Sequence, residues 1–402
     1  MRDQAFATLG GRAPRFRVTS VSPGGSPGAL RVVEGSFDVP LFLTGDGGPG
    51  TVLNNDGSSD GVPAQNGTSS VPFVCVIPKS AASRPAMGLL YGHGLLGKRS
   101  AARGIGERLA DTMNVVTCGV DWIGMSQDDI PTVVRAVTDI STFRTVPDRL
   151  QQGIVNFLFL GRALHHPQGF GSHDAFRIGG RSALSGEVAF VGFSQGGILG
   201  GALSAVAQDW NRSVLGLAGN NYSTLLQRST DFDYFAPFYM AAYTSSIEQQ
   251  LGFALMQMLW DRGETNGYAR HLTSQPLANT PVKQVLLYAA FGDHQVANVT
   301  TDVLARTARI PLREPALRAG RSKDVTPFWG IPRISSYPHS GSGYVMWDFG
   351  TPAPPDGNTP NRAGDDPHGA GRDDPRLLRL VDAFLRTGQV VDVCGGGACT
   401  TP

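Results

Sequence analysis

A serine at position 194 stands in Gly192-Phe193-Ser194-Gln195-Gly196, between the apolar run Val188-Ala189-Phe190-Val191 and the small-residue stretch from Gly197 to Val206. A serine hydroxyl attacks a carbonyl best from a sharp strand-to-helix turn, where glycines relieve crowding and a helix N-terminus favours developing negative charge. The five-residue pattern alone is weak in a chain with 52 glycines. The strand-like run before it and the helical run after it supply the context that the motif needs, so Ser194 is the candidate nucleophile.

Serine is a feeble nucleophile until a base takes its proton, and the base needs an acid to fix its tautomer. In a strand-turn-helix arrangement of this kind the three follow in chain order serine, acid, histidine. Asp293 fits the acid, because it lies where the apolar strand Val282 to Phe291 runs out in Gly292-Asp293. Three histidines follow it. His294 is adjacent to the acid and poorly aimed as a base. His368, in Asp365-Asp366-Pro367-His368-Gly369 just before the final helical pattern, is the expected base, with His339 as runner-up. The histidines before the acid read as surface or loop residues, except His93.

His93 belongs to Tyr91-Gly92-His93-Gly94-Leu95-Leu96-Gly97, which follows an apolar strand and precedes a helix. A tetrahedral intermediate needs backbone N–H donors aimed at its oxyanion, and an N–H just after His-Gly can pair with the one that follows the nucleophile. Leu95 and Gln195 are therefore the expected oxyanion donors, and His93 is expected to shape its loop by hydrogen bonding.

These residues need a scaffold. From residue 71 strands and helices alternate: strands at 71–77, 87–92, 114–121, 187–193 and 213–218, helices at 100–112, 147–165 and 195–208. Such alternation predicts an α/β protein with a mostly parallel central sheet and helices on both faces. Residues 1–70 read as an irregular N-terminal extension with edge strands at Leu30 to Gly35 and Phe37 to Phe42. Within it Asn54 to Gly61 lacks the spacing of a calcium loop. Residues 222–280 break the rhythm with a helical region rich in aromatic and methionine side chains, among them Phe238, Tyr239, Met240, Phe253, Met256 and Trp260. Its place after the elbow suggests a cap or lid with an adaptable apolar wall. Residues 391–402 form a C-terminal tail.

The order His-Gly-Leu-Leu-Gly, Gly-Phe-Ser-Gln-Gly-Gly, Gly-Asp-His-Gln-Val and Asp-Pro-His-Gly resembles exported bacterial lipases and esterases of the α/β-hydrolase superfamily over residues 71–390. The resemblance implies the α/β-hydrolase fold with a helical cap insertion, a triad of Ser194, Asp293 and His368, oxyanion donors Leu95 and Gln195, and no cofactor. Phe193 stands where many lipases carry histidine, which favours the broader hydrolase reading.

Composition narrows the partners. Net charge is +1 and charged residues make up 17% of the 402, below the roughly 25% usual for soluble domains, which argues against nucleic acid. Only four of the 34 basic residues are lysines, Lys79, Lys98, Lys283 and Lys323. No apolar run reaches the roughly 20 residues of a transmembrane helix, and Met1-Arg2-Asp3-Gln4 lacks the features of a signal peptide. Cys394 and Cys399 flank a glycine loop suited to a local disulfide, and Cys75 and Cys118 sit mid-strand where they could either bridge or stay as buried thiols. No histidine lies near either pair at ligand spacing, so no metal site is expected. Two disulfides would imply a secreted or otherwise extracytoplasmic location. The expected function is serine carboxylester hydrolysis on apolar acyl or aromatic esters, whether small-molecule or lipid. The alternatives are a depolymerase of polyhydroxyalkanoate or aromatic polyester with the same triad, and a silent binding module on a hydrolase scaffold. Oligomeric state is not legible.

Overall fold

The computed structural model describes residues 1–401. The chain divides into two compact units, Met1–Val191 with Val206–Trp210, and Gly192–Ala205 with Asn211–Pro402. The fold is α/β with a mixed, mostly parallel sheet and helices on both faces.

The first unit opens with helix α1 (Arg2–Leu9) and holds strands β1 (Phe16–Pro23), β2 (Ala29–Pro40), β3 (Thr68–Pro78) and β4 (Ala86–Gly92). Helix α2 (Ala101–Ala110), β5 (Val115–Gly119), α3 (Ile130–Thr138), α4 (Thr145–His165) and β6 (Leu184–Phe193) follow. Its strand order is β1-β2-β3-β5-β4-β6. The β1-β2, β2-β3 and β3-β5 pairs are antiparallel, and β4 and β5 run parallel. The residues read as two short strands form the single β2, which pairs with β3 from Ala29 to Pro40. Its far end is pinned by the buried Gln152 of α4, whose Oε1 accepts from Phe42 N at 2.8 Å and whose Nε2 donates to Pro40 O at 3.1 Å.

Helix α4 begins with Pro147 near its first turn and is buried along most of its length, the polar Asp148, Arg149, Gln152 and Asn156 included. Its Phe157 ring packs 3.9 Å from Trp122 and 6.3 Å from Phe190 of β6 by ring centroid. That cluster, with Phe190 and Trp122 fully buried, props the strand that delivers the serine.

Cys75 of β3 lies directly opposite Cys118 of β5 and is bridged to it, and Cys394 is bridged to Cys399. No free cysteine is found among the described residues. Closing the 43-residue separation between Cys75 and Cys118 stabilises by about 4 kcal/mol on a chain-entropy argument.

The second unit contains α5 (Gln195–Val206) and strands β7 (Arg212–Gly216), β8 (Gln284–Ala290), β9 (Leu312–Arg313), β10 (Arg333–Ile334) and β11 (Gly343–Asp348). Helices α6 (Ala236–Ala242) and α7 (Ser246–Trp260) precede β8, α8 (Asn298–Thr307) follows it, and α9 (Pro375–Thr387) and β12 (Cys399–Thr400) close the chain. Strand order is β7-β8-β11-β9-β10 with β12 on β11, and every pair is parallel. Helix α9 ends as its sequence dictates, with the Asp374 carboxylate accepting from Arg376 N at 2.8 Å, Pro375 at the first position and Gly388 left-handed at φ 70°.

Residues 222–280 are largely helical and lie between β7 and β8 in the chain. Some of their large apolar side chains are buried against one another. The Phe253 ring lies 4.7 Å from Tyr239 and 5.7 Å from Phe232, and Tyr222 stacks on Trp260 at 4.0 Å. Others face outward: Ile247, Leu251, Leu255 and Met258 of α7, and Phe238 and Met240 of α6, are exposed. Among the described residues no helix is long and apolar enough to cross a membrane.

Candidate functional site

Strand β6 ends at Phe193 and α5 begins at Gln195, leaving Ser194 alone between them. Its φ is +59°, in the left-handed region that a side chain rarely occupies. Ser194 N donates to Gly216 O at 3.0 Å, and Ser194 O accepts from Gly197 N at 2.8 Å and Ile198 N at 3.0 Å. A side chain at Gly192 would run into the carbonyl of Gly196, and a Cβ at Gly197 would stand 2.8 Å from both Ala218 Cβ and Gly216 O. The glycines thus let helix and strand approach closely enough to force the turn. Ser194 is 8% exposed.

Asp293 sits in the turn after β8. The turn is fixed on both sides: Gly292 N donates to Asn298 Oδ1 at 2.8 Å, and Asn361 Nδ2 donates to Gly292 O at 2.8 Å. The Asp293 carboxylate accepts Gln295 N at 2.8 Å and Val296 N at 2.9 Å through Oδ1. It also stands 3.0 and 2.9 Å, by its two oxygens, from Nδ1 of His368. Asp293 and His368 are 2% and 3% exposed. The structure therefore brings together the acid and the histidine chosen from the sequence, 75 residues apart. His368 follows Asp366 in a short 3-10 turn, Pro367–Gly369.

The remaining histidines go elsewhere. His339 lies in a two-residue strand that pairs antiparallel with Gln389 and Val390. His294 places its ring Nε2 3.3 Å from Ala363 O. His93, 1% exposed, has Nδ1 2.9 Å from Gly94 O and its Nε2 accepts from Trp122 N at 2.9 Å. Those two bonds specify a neutral ring with the proton on Nδ1, and burial holds its pKa below the usual value against the pull of the Gly94 bond, Asp121 and Asp129. It stiffens the turn that carries Leu95, which lies between β4 and α2 in the first unit. Gln195, buried at the first position of α5, belongs to the second unit.

Burial alone would depress the basicity of His368, but the charge and hydrogen bond of Asp293, with the charges of Asp366 and Asp231, outweigh it and raise its pKa above the ordinary 6.5. An imidazole that must accept a proton works only when neutral. A raised pKa keeps it protonated to higher pH, so the acid limb of kcat/KM is expected above pH 6.5. A limb at or below 6.5 in a pH–rate profile would show that His368 does not govern the reaction.

Three acidic residues escaped the sequence reading. Asp366 takes the His368 and His294 backbone N–H groups at 3.1 and 3.3 Å on Oδ1 and the Gln295 side chain at 2.8 Å on Oδ2. Its place two residues before His368, followed by proline, is a capping signal that was legible. Asp231 lies in the turn Thr230–Tyr234, tied to the acid's turn by Thr230 N donating to His294 O at 2.9 Å. Burial raises its pKa, with His368 opposing and Asp293, Asp366 and Asp233 adding to the rise. Glu264 is fully buried and accepts Tyr222 N at 3.1 Å, Asn221 N at 3.2 Å and Gln257 Nε2 at 2.7 Å. Burial pushes it up to about 7 despite those bonds. With Thr265 Oγ1 donating to Ile198 O, it ties the loop after β7 to helix α5.

No family model and no curated protein matches the chain. Among solved structures, acetyl xylan esterase 1 from Thermoanaerobacterium sp. JW/SL YS485 is similar with a TM-score of 0.48 and 11% identity, covering 96% of this chain and 91% of that one. The acetyl xylan esterase from Paenibacillus sp. R4 is similar with a TM-score of 0.48 and 10% identity, over 95% and 92%. The acylaminoacyl peptidase of Pyrococcus horikoshii reaches a TM-score of 0.44 at 10% identity, over 95% of this chain and 52% of that one.

Proposed function

We propose that the protein is a serine carboxylester hydrolase acting through an acyl-enzyme. The carrying observation is the buried Asp293–His368 pair in the same unit as a serine held at φ +59° on a strand-to-helix elbow. With Nδ1–H donated to Asp293, His368 presents Nε2 as the proton acceptor, the tautomer that a general base requires. Ser194 Oγ attacks the ester carbonyl while His368 takes its proton. The backbone N–H of Gln195, next to the nucleophile, receives the oxyanion, and Leu95 is the second donor that the sequence pattern suggests. The imidazolium then protonates the leaving alcohol. Water, activated by the same histidine, attacks the acyl-enzyme and frees the acid and Ser194. No cofactor enters this scheme.

The outward face of α6 and α7 supports a bulky, apolar substrate. Ile247, Leu251, Leu255 and Met258 recur at helical spacing on one exposed side, and Glu248 is the one charged residue between 236 and 260. Such a surface suits apolar esters presented by an aggregate or a polymer, so the polyester reading stays beside the small-ester and lipid readings with the same triad. The two disulfides support an extracytoplasmic, secreted protein.

The test is the initial rate on p-nitrophenyl esters of two to sixteen carbons, soluble and emulsified, and on a polyester film. A rate that peaks at long chains and rises with emulsification is expected. A peak at acetate would move the assignment to a short-chain carboxylesterase, and turnover of the film alone to a depolymerase. Silence on all of them would sink the hydrolase reading.

A further inference from the structure

We propose that Asp366 is a positioning residue whose carboxylate bolts the turn carrying His368 to the turn carrying Asp293. The inference rests on the hydrolase reading above and extends it to a residue outside the triad.

The two turns come from distant parts of the chain, one after β8 and the other just before α9. A direct bond between an imidazole and a carboxylate does not by itself fix the rings in one orientation, because both side chains can turn about χ1 and χ2. The backbone beneath each must be held as well. Asp366 does this at three points. Oδ1 accepts His368 N at 3.1 Å, within the histidine's own turn. The same oxygen accepts His294 N at 3.3 Å, next to the acid. Oδ2 accepts Gln295 Nε2 at 2.8 Å. Gln295 in turn donates its backbone N–H to Asp293 Oδ1 at 2.8 Å. A closed ring of bonds therefore runs from Asp366 through Gln295 to Asp293, on to His368 and back to Asp366.

The bolt holds over the pH range in which the imidazole works. Asp366 is kept below the ordinary carboxylate range, since the bonds from Gln295, His368 and His294 outweigh the burial that would raise it. It is thus an anion whenever His368 is neutral. The charged groups acting on His368 are Asp293, Asp366 and Asp231. Arg362, on the same loop, is paired with Asp233 at 2.7 Å.

Asp366→Ala and Asp366→Asn, made in the full chain beside Ser194→Ala, test the proposal by ester hydrolysis. Misplacing a reacting group by about 1 Å costs about 10²-fold, so Asp366→Ala is expected to lower kcat by about that factor with KM little changed. Asparagine still offers an Oδ1 to both backbone N–H groups, and Asp366→Asn is expected to recover most of the loss. Its acid limb should move to lower pH, because one of the charges that raise the His368 pKa is gone. A folded Asp366→Ala protein with parental kcat overturns the proposal, as does an asparagine variant no better than alanine. Should the alanine variant fail to fold, Asp366→Asn decides: a folded asparagine variant that keeps less than a tenth of parental kcat, or whose acid limb stays at the parental pH, overturns the bolt. Turnover surviving in Ser194→Ala would instead remove the Ser194–His368–Asp293 reading on which the bolt depends. Turnover lost in Ser194→Ala but parental in Asp366→Ala leaves that reading intact and removes only the bolt.

Discussion

Replacing Ser194 with alanine is expected to lower kcat for ester hydrolysis by about a million-fold, the scale at which loss of the nucleophile disables a serine hydrolase triad. The reason is chemical: on the proposed reading one atom, Oγ, carries the covalent step. The fold should survive. Alanine differs from serine by that oxygen alone, and the elbow's bonds are made by backbone, Ser194 N to Gly216 O and Gly197 N and Ile198 N to Ser194 O. Circular dichroism and the thermal midpoint should match the parent, while the rate on the best p-nitrophenyl ester falls to near the level set by oxyanion donors and binding alone. Retention of a tenth of parental kcat, on the order of 1.4 kcal/mol of barrier, would place the nucleophile elsewhere.

Asp293→Asn is expected to cost about 10⁴-fold in kcat, because the amide inverts the tautomer of the histidine. The carboxylate accepts from Nδ1. An asparagine can keep its Oδ1 bonded to Gln295 N and Val296 N, the two donors that orient the present carboxylate. Its NH₂ then faces His368 and demands an acceptor there, so Nδ1 gives up its proton and Nε2 carries one. An imidazole protonated on Nε2 has no lone pair for the serine proton. The variant should also lose its strongest source of raised basicity, and its residual acid limb should shift to lower pH. Steady-state kinetics between pH 5 and 9 would measure both effects, and a variant with parental kcat would show that Asp293 is only a turn residue.

What the chain discloses about itself divides along physical lines. The elbow was legible because its requirement is local: four apolar residues, a serine between glycines, and small residues that pack closely. Asp293 and His368 were legible because each sits at a punctuation mark, the end of an apolar strand and the turn before a capped helix. Strand β2 was misjudged for a non-local reason. Gly35 and Ser36 look like a break, yet they pair with Phe73 and Pro72 in the ladder with β3, and a side chain at Gly35 would meet the Phe73 ring. Helix α3 is absent from the sequence pattern's predicted helices; its Pro131 stands in the first turn, where a missing N–H costs nothing. The Cys75–Cys118 bridge depended on register, which sequence does not carry. Asp231 and Glu264 are ordinary acids along the chain and become unusual only by what packs around them.

The left-handed backbone at Ser194 carries a cost of about 1–2 kcal/mol for any residue with a side chain, and only glycine escapes it. On the proposed reading the chain thus gives up part of its stability at the position where it needs a nucleophilic hydroxyl. Two selective demands meet there and pull in opposite directions. A lineage relieved of the need for turnover would gain stability by exchanging this serine for glycine, so the residue that makes the protein useful is the one that an idle copy is best served by losing first.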